Sequence, residues 1–302
     1  MFQYVTSDVL PSSPGLKKYC LANPDFLLRA PAGGNGAGAA AGEKFSLIMH
    51  DLRMGGAWKR TGSGRLRETE RLLKKYLAGQ GTGTLSMLDI GASDGITTWE
   101  AVQSLRQGTG REVRAWLADL YLYLLRYRRG MVVEYRTGDG EPVMARIGRL
   151  GLRLSRPRRE VKEMPDPLAQ MYLGKESFRQ AMTLDTRIPL IHPLAMTESA
   201  ITAVELNCLE RRAEFTGKLD VVRASNILNN GYFTPDQIRA AISHLHAYLR
   251  PDGLLVISRN NDVEGGEIER GTLWSRRDQH FERREDFGNG SEVASIVDDW
   301  RV

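Results

Sequence analysis

Apolar positions along this chain recur with two periods, and each change of period marks an element. Residues 85–90, Leu85-Ser-Met-Leu-Asp-Ile90, are a short apolar run with an acid at its end. The small residues Gly91-Ala-Ser-Asp-Gly95 follow, and then Trp99-Glu-Ala-Val-Gln-Ser-Leu105. This order predicts a strand, a tight turn and the start of a helix whose first N–H groups lack partners within the helix. A second strand is predicted over 113–119, ending in Asp119. Helical spacing over 65–77 places Leu66, Leu72, Leu73 and Leu77 on one face, with Gly79 as the stop. Thr234-Pro-Asp-Gln237 opens another helix, running to Leu249, with a cap, an N1 proline and an acid in order.

Between these elements the period shortens to two. Residues 131–136, 143–147 and 150–154 are short and β-rich, and Thr137-Gly-Asp-Gly140 is a hairpin turn. They predict a small antiparallel meander inserted after the second strand. Residues 166–182 are read as a helix returning to the sheet. The third strand is placed at 187–191, a capped helix at 197–215, the fourth strand at 218–222 and the fifth at 254–258. Residues 272–276 and 280–284 are read as a terminal antiparallel hairpin. Ahead of residue 85 the chain reads mostly as helix, with a short one opening at Ser13 and a Gly/Ala-rich aperiodic loop over 29–42.

The expected fold is therefore α/β. It is a doubly wound, Rossmann-like, mostly parallel sheet ending in an antiparallel hairpin, with N-terminal helices and an inserted antiparallel β meander. The expected boundaries are an N-terminal helical segment or lid at 1–84 and a ligand-binding domain at 85–302, with the meander at about 126–162.

Composition narrows the class. The 302 residues are 41% hydrophobic and 26% charged, enough to bury a sizeable core. No apolar run approaches the ~20 residues of a membrane span. The first residues lack the basic start and apolar centre of a signal peptide. Cys20 and Cys208 make neither a disulfide framework nor a CxxC metal site. A reduced, cytoplasmic protein without a metal is expected.

The net charge of +5 is unevenly spread. Residues 126–162 hold ten arginines and one lysine against four acids, a net +7, so the remainder carries −2. One reading is an ordinary meander with one wet face. The other is a docking surface for an acidic peptide or small molecule, with Arg156, Arg158 and Arg159 roofing an acceptor pocket. Aromatic residues are few beyond Tyr121, Tyr123, Tyr127 and Tyr135, so nucleic acid is the least favoured partner.

The turn itself has two chemical readings. Gly91-Ala-Ser-Asp-Gly95 spells G-x-S-x-G, the nucleophile elbow of serine hydrolases, with Ser93 as nucleophile. That reading needs a later acid and then a histidine, for which Asp262 and His280 are available in order. Alternatively, Asp89-Ile-Gly-Ala-Ser-Asp-Gly95 resembles the first motif of class I S-adenosylmethionine (SAM) methyltransferases, acid-x-Gly-x-Gly-x-Gly, with Ser93 at the middle glycine. Leu249-Arg-Pro-Asp-Gly-Leu-Leu-Val-Ile257 extends the resemblance, which covers about 85–260. Leu219-Asp-Val-Val-Arg-Ala-Ser-Asn-Ile-Leu-Asn229 and Tyr232-Phe-Thr-Pro-Asp236 look more narrowly like the chemotaxis-receptor-type (CheR-like) members.

The resemblance implies a cofactor, SAM, and methyl transfer to an oxygen, nitrogen or carbon nucleophile of a small molecule or peptide. It implies that Gly91, Ala92, Ser93 and Gly95 line the methionine and ribose, and that Asp89 orients the turn and reaches the methionine ammonium, directly or through water. It also implies that Asp119 accepts the ribose hydroxyls, as an acid after a second strand does in nucleotide folds. Ser225 and Asn226 would pass over the ligand. His192, Asn229 and Tyr232 are candidate substrate contacts, with turn capping and packing as their alternative roles. No catalytic side chain is named, and a protein that binds SAM without catalysis shares the same pattern.

Overall fold

The computed structural model describes residues 3–6, 19–29, 37–59, 61–155, 166–263 and 266–302. Its first strands are β1 (Gln3–Val5), β2 (Cys20–Leu21), β3 (Arg53–Met54) and β4 (Ala57–Trp58). After them come β5 (Leu85–Ile90), β6 (Val113–Asp119), β7 (Tyr123–Arg129), β8 (Val132–Arg136), β9 (Pro142–Ile147) and β10 (Leu150–Arg153). The last are β11 (Thr183–Pro189), β12 (Ile201–Glu205), β13 (Leu219–Ser225), β14 (Leu249–Val263), β15 (Gly266–Arg276) and β16 (Phe281–Phe287). The described α-helices begin with α1 (Ala37–Asp51), α2 (Arg67–Leu77), α3 (Ile96–Thr109) and α4 (Pro167–Leu173). They continue with α5 (Glu176–Gln180), α6 (Pro193–Thr197), α7 (Pro235–Tyr248) and α8 (Ala294–Asp299). The chain forms two units, Gly62–Leu120 with Glu198–Val302, and Met1–Thr61 with Tyr121–Thr197.

The first of these units is built on a sheet of order β12-β6-β5-β13-β14-β15-β16. β12, β6, β5, β13 and β14 run parallel, and β15 is antiparallel to both of its neighbours. Every residue of β13 is buried, as a central parallel strand covered on both faces requires. On one face Met87, Ala115, Val221 and Val256 pack with Leu72 and Leu73 of α2 and Val102 and Leu105 of α3. On the other, Leu88, Val222, Leu255 and Ile257 pack with Ile238, Ile242 and Leu245 of α7 and Val297 of α8. The doubly wound expectation holds. Strand order reverses between β5 and β13, the topological switch point beside which such sheets bind ligands, beyond the carboxyl ends of the strands.

The third parallel strand is not where the sequence placed it. It is β12, inside the segment read as a helix over 197–215, and it pairs with β6. Four of its five residues are β-branched or small, and it lies at the sheet edge, where few side chains are buried. Its apolar residues carry no clear period of either kind, and edge exposure removed the alternation that would have marked a strand. The segment expected as strand three is β11, in the other unit, antiparallel to β7. Pro189 ends it on an edge, where a missing N–H leaves no ladder bond unmade.

The second unit is a sheet of order β11-β7-β8-β9-β10-β1-β2. The expected meander is its centre, but the 1–84 boundary is corrected. β1 and β2 extend the same sheet, and α1 covers it through Phe45, Ile48 and Met49, which pack on Leu124, Val133, Tyr135 and Ile188. The N-terminal region is thus mostly part of this unit, and only α2 belongs with the parallel sheet. Of the expected Gly/Ala loop over 29–42, residues 30–36 lie outside the described residues, and from Ala37 the chain is helix, in keeping with alanine's high helix propensity. The expected helix over 166–182 is two short helices, α4 and α5, separated at Gly174 and Lys175. Of the short helix expected from Ser13, residues 13–18 lie outside the described residues, and Cys20 is in β2.

Arginines of the basic meander pair with acids of their own unit. Arg126 and Arg146 hold Asp25 at 2.9 and 2.7 Å, and Arg153 holds Asp51 at 2.7 Å. The fully buried Glu134 accepts from Arg179 at 2.9 Å and from the Tyr172 hydroxyl at 2.7 Å, and it also pairs with Arg136. Burial works to raise the Glu134 carboxyl, and these hydrogen bonds outweigh it and hold it below its ordinary value. Arg156, Arg158 and Arg159 lie outside the described residues. Among the described residues no helix is long and apolar enough to cross a membrane.

Candidate functional site

The turn after β5 is held in an unusual backbone shape. Gly91, Ser93 and Gly95 have φ of +70°, +58° and +79°, and Asn226, after β13, has +62°. Left-handed non-glycine residues cost about 1–2 kcal/mol each and concentrate where a site over-determines them. Gly91 is also sterically required: a Cβ there would lie 2.7 Å from Cβ of Ile227. The N–H groups of Gly91 and Ala92 both donate to the Ala118 carbonyl, at 2.9 and 3.1 Å, tying the turn to β6.

Three carboxylates surround this turn. Asp119, at the end of β6, accepts the Ser93 N–H at 2.8 Å. Asp94, fully buried, accepts the Ile96 N–H at 3.1 Å at the N-terminus of α3. Asp89 faces inward. Its two oxygens take Nε and Nη2 of Arg223 at 2.9 and 2.6 Å, and Thr98 donates to it as well. The Arg223 side chain is 0% exposed and Asp89's is 3%. Burial works against the arginine's charge, and Asp89, with Glu70 and Glu269 beyond it, outweighs that cost. Asp89 is thus tied to β13 through Arg223 and to the first turn of α3 through Thr98. Both of its oxygens are also hydrogen-bonded to groups inside the protein.

Hydrogen-bonded side chains line the β13–β14 side. Ser225 Oγ lies 2.7 Å from Ser258 Oγ. Asn226 and Asn260 pair reciprocally, through Asn260 N–H to Asn226 Oδ1 at 2.8 Å and Asn226 Nδ2 to Asn260 Oδ1 at 3.0 Å. Glu269 accepts the N–H groups of Glu68 and Thr69 at 2.8 and 3.2 Å, capping α2, whose own N-cap residue Leu66 offers no side-chain cap. Burial pushes the Glu269 carboxyl up.

The structure thus brings Asp89, Gly91, Ala92, Ser93, Gly95, Asp119, Ser225 and Asn226 to the carboxyl ends of β5, β6 and β13. Asn229 and Tyr232 lie on the loop after β13. Asn229 Oδ1 accepts the N–H groups of Gly231 and Tyr232 at 3.0 and 3.1 Å, an organiser of that loop, and Tyr232 packs against the apolar core. His192 belongs to the other unit. It is buried against Phe45, with ring centroids 5.6 Å apart, and its Nδ1 accepts the Leu194 N–H at 3.2 Å. Gly42 makes room for it, since a Cβ there would sit 2.6 Å from its Nε2.

Sequence reasoning missed Arg223, Asp94 and Glu269. Arg223 carried a signal, an arginine inside the otherwise apolar stretch Val221-Val-Arg-Ala224 of a strand buried on both faces.

The hydrolase reading fails on geometry. His280 precedes Phe281, which pairs with Arg276, and the neighbouring Ser275 pairs with Leu254. That is the amino end of the parallel strands, whereas Ser93 follows the carboxyl end of β5. Asp262 lies eight residues beyond Leu254 on β14, about 26 Å of strand away at ~3.3 Å per residue.

No family model matches the chain, and no curated protein matches it. Solved structures similar to it include the citrinin polyketide synthase CMeT domain, 12% identical with a TM-score of 0.36, covering 77% of this chain and 41% of that one. The CurJ carbon methyltransferase is 13% identical with a TM-score of 0.33, covering 65% and 35%. The trans-methyltransferase CalH in complex with SAH is 15% identical with a TM-score of 0.31, covering 65% and 36%. The chain spans about two fifths or less of the length of these three structures.

Proposed function

We propose that the crevice beside β5 and β13 binds SAM and that the protein is a methyltransferase acting on an oxygen, nitrogen or carbon nucleophile of a small molecule or peptide. The observation that carries this reading is Asp94. A helix N-terminus after a glycine turn is a ready site for a dinucleotide's pyrophosphate. Here a buried carboxylate already takes the Ile96 N–H, so a phosphate would meet like charge. A sulfonium and an ammonium meet opposite charge instead. Asp119, which accepts the Ser93 N–H, would accept the ribose hydroxyls. Gly91, Ala92, Ser93 and Gly95 would let the ligand approach the backbone, and Ser225 and Asn226 would flank it.

SAM supplies an already activated methyl group. The chain's part is to bind and orient the nucleoside, hold the acceptor in line with the methyl group and exclude water. Calorimetric titration of SAM, S-adenosylhomocysteine (SAH) and NAD tests the reading. SAM and SAH are expected to bind and NAD is not. NAD binding in the absence of SAM binding would overturn it.

A further inference from the structure

The Arg223–Asp89 pair has a location that stability alone does not explain. Asp89 and Arg223 are register partners on β5 and β13, the two strands that flank the switch point. The pair therefore forms a cross-tie directly beneath the crevice, two residues before Gly91 on one strand and two before Ser225 on the other. It is a fork-to-carboxylate contact, which fixes orientation as well as distance. Thr98 donates to the same carboxylate, and Thr97 Oγ1 accepts from Arg223 Nη2 at 3.4 Å, so the first turn of α3 is tied in too. The remaining nitrogen, Nη1, is buried and has no hydrogen-bond partner among the described residues. Burying such a pair is costly, and apolar residues of similar volume often give equal or greater stability. What an apolar pair lacks is a directional link between β5, β13 and α3. The turn above, with three left-handed residues out of five, needs one.

We infer that Arg223, acting through Asp89, is a positioning residue: it sets the glycine turn against β13 and so fixes affinity for the nucleoside part of the ligand, without touching the ligand itself. This rests on the SAM reading above. It extends that reading to a residue outside the turn and reassigns Asp89 from ligand contact to support.

The test uses the full chain with Arg223→Met and Asp89→Leu combined, so that both charges go together and no orphan is left. Thermal melts report folding, and calorimetry reports the Kd of SAH and of 5′-methylthioadenosine, which keeps the nucleoside and lacks the amino-acid part. The double variant is expected to melt close to wild type and to bind both ligands more weakly by the same factor, about tenfold or more. If SAH weakens and methylthioadenosine does not, Asp89 meets the amino-acid end directly and the inference is overturned. Unchanged affinity for both assigns the pair to stability alone and overturns it as well. Arg223→Lys keeps the charge and loses the fork, so it covers the case in which the double variant does not fold. It is expected to weaken both ligands equally, and wild-type affinity in it would be a refutation. Failure of the wild type to bind either ligand is a different result, which removes the SAM reading and this inference together.

Discussion

Gly91→Val is expected to abolish SAM binding and to destabilise the protein by more than about 2 kcal/mol. Two costs add. A β-branched residue at φ +70° is strained by itself, and its Cβ would be placed 2.7 Å from Cβ of Ile227. The obstacle is therefore the loop after β13, which carries Ile227. Either the loop moves away from the crevice or the turn does, and both misplace the groups proposed to hold SAM. Urea unfolding and calorimetry read the two effects. A variant with wild-type stability and SAM affinity would show that Gly91 is merely convenient.

Asp89→Ala is expected to be among the most destabilising single changes in the protein, by about 3–5 kcal/mol. It strands a guanidinium whose side chain is 0% exposed and whose Nη1 has no partner among the described residues. Glu70 and Glu269 act on Arg223 through charge, but among the described residues neither forms an ion pair with it. The midpoint of urea unfolding should fall sharply for Asp89→Ala and recover in the Asp89→Leu, Arg223→Met pair. Equal midpoints for the single and double variants would mean that the lost charge is not the cause.

These two residues also show what the sequence revealed. Gly91 was legible because a strand, a turn and a helix are consecutive, and local sequence carries all three. β5 and β6 fall at 85–90 and 113–119 as expected, because each is an apolar run with a clear end. Thr234 caps α7 as expected, and Gln237 completes a capping box with it. The partner of Asp89 was hidden because Arg223 lies 134 residues away, and pairing across parallel strands leaves no local trace. β12 was hidden by edge exposure, and β1 by pairing with β10, whose Gly151 faces Gln3 from 148 residues along the chain. Asp94 was visible as an acid ahead of a helix, but its consequence for ligand charge appears only when its hydrogen bond to Ile96 is seen.

The central claim is that the turn and Asp119 hold SAM, and titration of SAM into wild type and Asp119→Ala tests it most directly. Asp119→Ala removes the acceptor proposed for the ribose hydroxyls and the anchor of the Ser93 N–H. A folded variant whose Kd is roughly 30- to 150-fold weaker, about 2–3 kcal/mol, is the expected result. Equal affinity in the two proteins, or a wild type that does not take up SAM at all, would contradict it.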